Sequence, residues 1–372
     1  MKKLKFGFLV TFWLSTLILI VIFSYTQVDL NLTFLNWQPY LDIQKQLTQL
    51  GYFNRPSNYL IFIFISIALT VQYLNFSYIA SKNLLSQKNI LLLTTSTAFT
   101  LLFSYNAFSH DFFNYMFDAR IVTKYSQNPY FYKALDFPLD TWTRYMHWTH
   151  RNYPYGPIWL AITVIPSFLG FGKFLVTFFL FKLMFAGSYL ISCNYLYKTL
   201  QLIQPQKAKL GLILFSLCPV ILIDGLVSPH LDLVMLSLFS ISLFHYLAYF
   251  IDSKKTSDKK LAFTYLFLSV LVKFSTILAL PLYFLNPQKT GLKRWLGLLA
   301  ISSVLGAVIQ SYQGHINSWY WIISIYCICM LHLEYKTYKI AISLLILSLL
   351  MYISYGIFIQ TGIGVGFFEF KV

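Results

Sequence analysis

MKKLKFGFLVTFWLSTLILIVIFSY, residues 1–25, opens on three lysines and then runs from residue 7 to 25 without a charge. About 18 apolar residues suffice to cross the roughly 30 Å hydrocarbon layer as a helix. Backbone in lipid must satisfy its own hydrogen bonds, so a run of this kind is helical. It is long for a leader and lacks a small-residue cleavage site, and it reads as a retained first helix with its basic N-terminus in the cytoplasm.

The pattern repeats outward from this run. Apolar spans occupy about 58–80, 90–107, 174–197, 210–227, 233–250, 295–312, 319–333 and 340–360. Two more segments are irregular: 157–171 is short for a crossing, and 261–285 is long and interrupted by Lys273, with Pro281 near its end. The chain is 58% hydrophobic and only 11% charged, whereas soluble domains carry about a quarter charged residues. The expected fold is all-α, a polytopic transmembrane bundle of about 10 to 11 apolar segments. Residues 1–372 form one membrane domain, and 108–156 its external catalytic loop.

Charge sets the orientation. The net charge of +16 is spread through short loops between spans, which excludes a nucleic-acid surface. The N-terminus and the loops at 81–89, 198–209, 252–260, 286–294 and 334–339 hold 17 of the 28 Lys and Arg, and are placed inside. For the basic loop at 198–209 to stay inside, 157–171 must be re-entrant or interfacial. By the same logic 261–285 becomes a broken hairpin entering and leaving from the cytoplasm. Cys193, Cys218, Cys327 and Cys329 all fall in apolar runs, as buried free thiols do.

Two loops then fall outside, 26–57 and 108–156, and the second holds four of the ten Asp residues among many aromatics. Phe112 to Lys124 has helical spacing, with Phe113, Phe117 and Ile121 on one side, and reads as an amphipathic helix on the membrane surface. Asn128-Pro129-Tyr130 ends it, and Pro154-Tyr155-Gly156-Pro157 closes the loop. Asp111 stands at headgroup level, suited either to accept a proton from an acceptor hydroxyl or to cap the helix. Asp224 and Ser228-Pro229-His230-Leu231-Asp232 form a second polar island on the same side, again open to a capping role. Lys273 requires an anion or a route to the headgroups, and a lipid phosphate is one such partner. His147, His150 and Arg151 lie among Trp142, Tyr145 and Trp148, which either anchor the interface or line a sugar site.

These pieces resemble the glycosyltransferase C superfamily, and most closely the polyprenol-phosphate-mannose-dependent alpha-(1→6)-mannosyltransferases. The resemblance spans about residues 100–285: SHDFFNY with Asp111, DAR at Asp118 to Arg120, NPY at Asn128 to Tyr130, YGP at Tyr155 to Pro157, SPHLD at Ser228 to Asp232, and LVKFSTILALPL around Lys273. It implies that Asp111 is the catalytic base, that the sugar donor is linked to a polyprenyl phosphate, and that the transferred sugar is inverted. Asp118, Arg120, Asn128, Tyr130, Tyr155, His230, Asp232 and Lys273 are the substrate-binding candidates. Leu231 stands where the family pattern has Asn, and residues 286–372 carry no matching motif.

The expected activity is transfer of a hexose, mannose by resemblance, to a glycan or lipid acceptor at the outer face of the plasma membrane. Membrane lipids are the surrounding partners. No cofactor is required, and a Mg or Mn ion is compatible with the carboxylates of Asp111 and Asp232. The rival reading is a lipid-linked-sugar transporter or flippase, which should show paired broken segments in two related halves; no such symmetry is visible. A non-catalytic scaffold would have no use for so polar an external loop.

Overall fold

The computed structural model describes residues 3–30, 32–311, 317–331 and 337–361. Among these every regular element is a helix. Long helices are α1 (Lys3–Ser24), α3 (Arg55–Ser81), α7 (Phe174–Ile203), α10 (Leu231–Ala248), α13 (Leu292–Ser311) and α15 (Thr337–Thr361). Shorter ones are α2 (Gln38–Thr48), α4 (Gln87–Leu101), α5 (Asp111–Tyr125), α6 (Pro157–Leu169), α8 (Ala208–Ser216), α9 (Pro219–Leu222), α11 (Thr256–Val270), α12 (Pro287–Thr290) and α14 (Ile322–Leu331). Six described helices are long and apolar enough to cross a membrane, or seven if the bent pair around Cys218 is one span, so the chain is a multi-pass membrane protein.

The basic loops gather at one end of the bundle. Lys209 Nζ donates to Asn83 Oδ1 (3.1 Å) and to the Leu85 carbonyl (3.0 Å). The Lys198 amine lies 5.9 Å from the centre of the Phe244 ring, and the Tyr246 hydroxyl donates to the carbonyl of Leu285. Loops 81–89, 198–209, 252–260 and 286–294 therefore share that end. Residues 1–2 and 334–336, and the tail from 362, lie outside the described residues, so the basic N-terminus and the loop at 334–339 are only partly covered. At the opposite end the Tyr105 amide donates to Ser24 Oγ (2.8 Å), and the second polar island meets the 108–156 segment.

Three irregularities place the site. The 210–227 span is not one helix. Cys218 is extended (φ −61°, ψ 125°), as the residue before a proline tends to be, and the two halves meet at 54°. Segment 261–285 breaks at Lys273, itself extended, between α11 and the 3₁₀ helix Phe274–Phe284. Its two arms pack on each other and both have their far ends at the basic end, so Lys273 sits at the tip of a hairpin. Helix α6 lies along the first half of α7: its first turn meets Leu271 and sets Trp159 against Phe185, and Gly170 at its close packs on Thr177.

Helix α5 corrects the expectation of an amphipathic surface helix. Every residue from Phe112 to Ile121 is buried. The 126–156 segment folds over α5 and covers its second side, with Phe137 stacked on Tyr125 and Trp142 beneath Arg120. Apolar and polar residues alternate around this helix because it is enclosed, not because it floats. The amphipathic position belongs to α2, in which no residue is buried.

Candidate active site

Helix geometry sorts α5 into two faces. Asp111, Tyr115 and Asp118 fall at i, i+4 and i+7 on one face, whereas Arg120, nine residues from Asp111, points the opposite way. Asp111 is not the cap. His110 holds that position, and the Asp111 carboxylate instead accepts from Trp148 Nε1 (3.1 Å) and stands 4.0 Å from His230 Nε2. Ser109 Oγ joins the two, accepting from the Asp111 amide (3.2 Å) and lying 3.1 Å from His230 Nε2.

The second island arrives from the broken span. After the π-helical turn Ile223–Val227, Ser228 Oγ accepts from the Phe108 amide (2.9 Å), and the His230 amide donates to the Asp224 carbonyl (3.2 Å). Asp232, in the first turn of α10, gives both oxygens to Lys273 Nζ at 2.8 and 3.0 Å, so it too is no cap. The Tyr320 ring lies 4.7 Å from that amine. The hairpin tip is held by the YGP segment: the amides of Gly156 and Ile158 donate to the carbonyls of Val272 and Leu271 (both 3.2 Å). A Cβ on Gly156 would come 1.9 Å from the Leu271 oxygen, which explains the glycine.

A deeper group supports this junction. Lys182 Nζ, fully buried in α7, donates to Ser104 Oγ (3.0 Å) and to the carbonyls of Leu226 and Val227 (both 2.8 Å). These carbonyls end the π turn, where backbone acceptors lack helical donors. Lys182 thereby ties the segment after α4 at Ser104 to the end of the π turn at Leu226 and Val227, next to the residues that carry Asp111 and His230.

A sequence model described as alpha-(1→6)-mannopyranosyltransferase, N-terminal domain, matches residues 30–287, well over half of the chain. The chain belongs to that family. Neither the curated proteins nor the solved structures yield a match. As a member of this mannosyltransferase family, the protein is a membrane glycosyltransferase with a sugar donor and a glycan acceptor, and membership favours transfer over bare translocation.

In this mannosyltransferase-family enzyme the charges around α5 are tuned by burial. Burial raises the Asp111 pKa, opposed by the charges of Arg151 and Lys273 and by the Trp148 hydrogen bond, while Asp232 adds to the rise. Asp118 is pushed up to about 7, by burial first, with the Arg151 charge opposing and that of Asp111 adding. His110 and His147 stack with ring centres 3.5 Å apart, and burial lowers both, His110 to about 4. Arg151 Nη2 donates to the Tyr155 hydroxyl (3.2 Å), whose ring packs edge-on against Tyr115.

The transferase thus brings together Asp111, Asp118, Tyr155, His230, Asp232 and Lys273 of the candidates. Arg120 lies elsewhere: its Nε donates to Asp140 (2.7 Å), which also accepts from Lys124 (2.9 Å) and Tyr125 (2.7 Å), and its guanidinium lies 3.9 Å over Trp142. Although burial opposes it, these bonds hold Asp140 well below the usual carboxylate range. Asn128 and Tyr130 build a turn, Asn128 Oδ1 accepting from the Tyr130 amide (3.0 Å) and the Tyr130 hydroxyl donating to the Tyr155 carbonyl (2.9 Å). Among the described residues no three His, Cys, Asp or Glu side chains form a metal-holding group. A divalent ion at Asp232 would have to displace Lys273 from both oxygens. Tyr320 and Lys182 were not signalled: one lies 47 residues beyond Lys273 in sequence, the other inside an apolar run.

Proposed function

We propose that this enzyme moves a mannosyl unit from a polyprenyl-phosphate donor to an acceptor hydroxyl at the non-cytoplasmic face of the plasma membrane, with its N-terminus in the cytoplasm. Asp111 carries the reading. Its carboxylate is one-fifth exposed, raised in basicity, and in the field of both Arg151 and Lys273. A base of this kind takes the proton from the acceptor hydroxyl as its oxygen attacks the sugar's anomeric carbon. The bond from that carbon to the donor phosphate breaks, the phosphate leaves with the electron pair, and the configuration inverts. Lys273 holds the phosphate, released in part from Asp232, while Asp118, Tyr155, His230 and Asp232 hold the sugars. No step requires a divalent cation. The clustering of basic loops at the opposite end supports the sidedness.

Two assays test this. Purified protein with radiolabelled polyprenyl-phosphate mannose and a mannoside acceptor should form a labelled, elongated glycan, and no product with this donor would refute the reading. Cysteine at Leu139, 95% exposed, should react with impermeant thiol reagents from outside intact cells, and cysteine at the exposed Lys255 only after the membrane is opened. Opposite labelling removes the outer site.

A further inference from the structure

Trp142, Tyr145 and Trp148 share one short aromatic stretch but not one environment. Trp142 is buried, with the Arg120 guanidinium over its ring and Phe174 packed against it edge to face. Tyr145 packs on Phe113 and Phe174. Trp148 is 45% exposed, yet it is not a loose surface ring. Its carbonyl accepts from Asn114 Nδ2 of α5 (3.1 Å), the Thr149 carbonyl that follows accepts from the Leu135 amide (3.2 Å), and its indole N–H donates to Asp111 Oδ1 (3.1 Å).

A tryptophan that only anchors a membrane interface turns its apolar body to lipid and its N–H to water. Here the N–H is committed to a carboxylate that is itself one-fifth exposed. An indole N–H lies in the ring plane, so Asp111 stands near the edge of the ring, and a ligand laid on the ring face comes to lie beside that carboxylate. A pyranose matches this arrangement. Its C–H face is apolar and about as wide as the indole, while its hydroxyls project from the rim, the combination of apolar wall and few polar contacts that fixes orientation in small-molecule sites. A rim hydroxyl would meet Asp111 Oδ2, the oxygen that Trp148 does not take and that lies 4.0 Å from His230 Nε2.

We infer that Trp148 is the acceptor platform of this transferase: the terminal pyranose of the acceptor stacks on its indole, which sets the attacking hydroxyl beside Asp111. The inference rests on Asp111 as the base and adds the residue that selects and places the acceptor. The same N–H also tempers that base, since burial raises the Asp111 pKa and the Trp148 bond is among the interactions that lower it.

Acceptor binding is read without any donor. Full-length protein in detergent is mixed with alpha-(1→6)-mannobiose, a probe suggested by the family's linkage, and saturation transfer to the sugar is followed by NMR. Trp148→Ala should weaken binding about tenfold, the upper end for a stacked ring, and raise the acceptor KM to match while the donor KM stays unchanged. Trp148→Phe keeps a ring and loses the N–H. It should bind within about threefold of the unaltered protein, while the acid limb of its kcat/KM profile moves to higher pH because Asp111 then holds its proton more tightly. Full mannobiose binding by Trp148→Ala, or no binding by the unaltered protein, overturns the inference. An unmoved acid limb in Trp148→Phe does so as well, whether or not the Ala variant folds. Failure of polyprenyl-phosphate mannose as donor would refute the donor reading and leave the donor-free binding result standing.

Discussion

Two lysines stand in apolar surroundings and are satisfied in different ways. Lys182 is fully buried and donates to three neutral oxygens, two of them backbone carbonyls that a broken helix cannot satisfy itself. Lys273 is one-fifth exposed, paired with a carboxylate, and covered by an aromatic ring. Neutral carbonyls belong to the backbone and cannot be exchanged, so Lys182 is committed to the fold. A carboxylate partner at a partly open tip is exchangeable, because an incoming phosphate offers the same charge and similar oxygens. The same residue type is therefore a fixture in one place and, in the proposed reaction, a receiver in the other.

The largest expected effect would break the comparison at its fixed end. Lys182→Met keeps the volume but strands the Leu226 and Val227 carbonyls, at about 1 to 3 kcal/mol each, and should sharply lower the yield of folded protein and its thermal midpoint in detergent. A folded, active Met variant would show that the junction does not need this amine. Next, Asp111→Asn should leave yield and midpoint unchanged while transfer falls about 100-fold or more, the scale of a lost general base. Near-normal turnover would remove Asp111 from the chemistry.

Lys273→Gln probes the exchangeable end. It should raise the KM for the lipid donor about tenfold with a smaller change in kcat, and Lys273→Arg should recover part of the loss. A normal KM with lost turnover would move Lys273 into the chemical step, and an unfolded Gln variant would make it a second fixture. The smallest effect concerns Asp118. Folded Asp118 titrates near 7, against about 4 when unfolded. Between those values the folded chain binds more protons, so stability is greatest at the acid end and falls as pH rises through the window. Asp118→Asn should flatten the midpoint between pH 5 and 8 by about 1 to 2 °C; equal slopes would place that proton elsewhere.

Much of this was legible beforehand for a physical reason. Apolar runs, basic loops and isolated charges are local in sequence, and they mark the spans, the break at Lys273 and the islands around Asp111 and Asp232. What local pattern cannot register is enclosure. Helix α5 reads as amphipathic because its second apolar neighbour, the 126–156 segment, is itself polar in composition. Arg120 reads as a substrate-binding candidate beside Asp118, yet helical arithmetic alone turns it away from Asp111, and Asp140 receives it. Lys182 is hidden for the opposite reason, since one amine among 24 residues of an apolar run looks like noise until the bend at Cys218 creates acceptors for it.

The Gly156 contact with Leu271 bears on how the protein is made. The YGP segment leaves the ribosome more than a hundred residues before the hairpin tip that it clasps, and Asp111 earlier still. Through that interval the nascent chain carries Asp111 and Asp118 without Lys273, and for most of it without the His230 island as well. The candidate pocket around Asp111 is not completed as the first helices insert; it closes only when the 261–285 hairpin docks. A polypeptide arrested before residue 271 should insert its early helices yet stay open to protease across 126–156, and release of the next thirty residues should protect that segment in a single step.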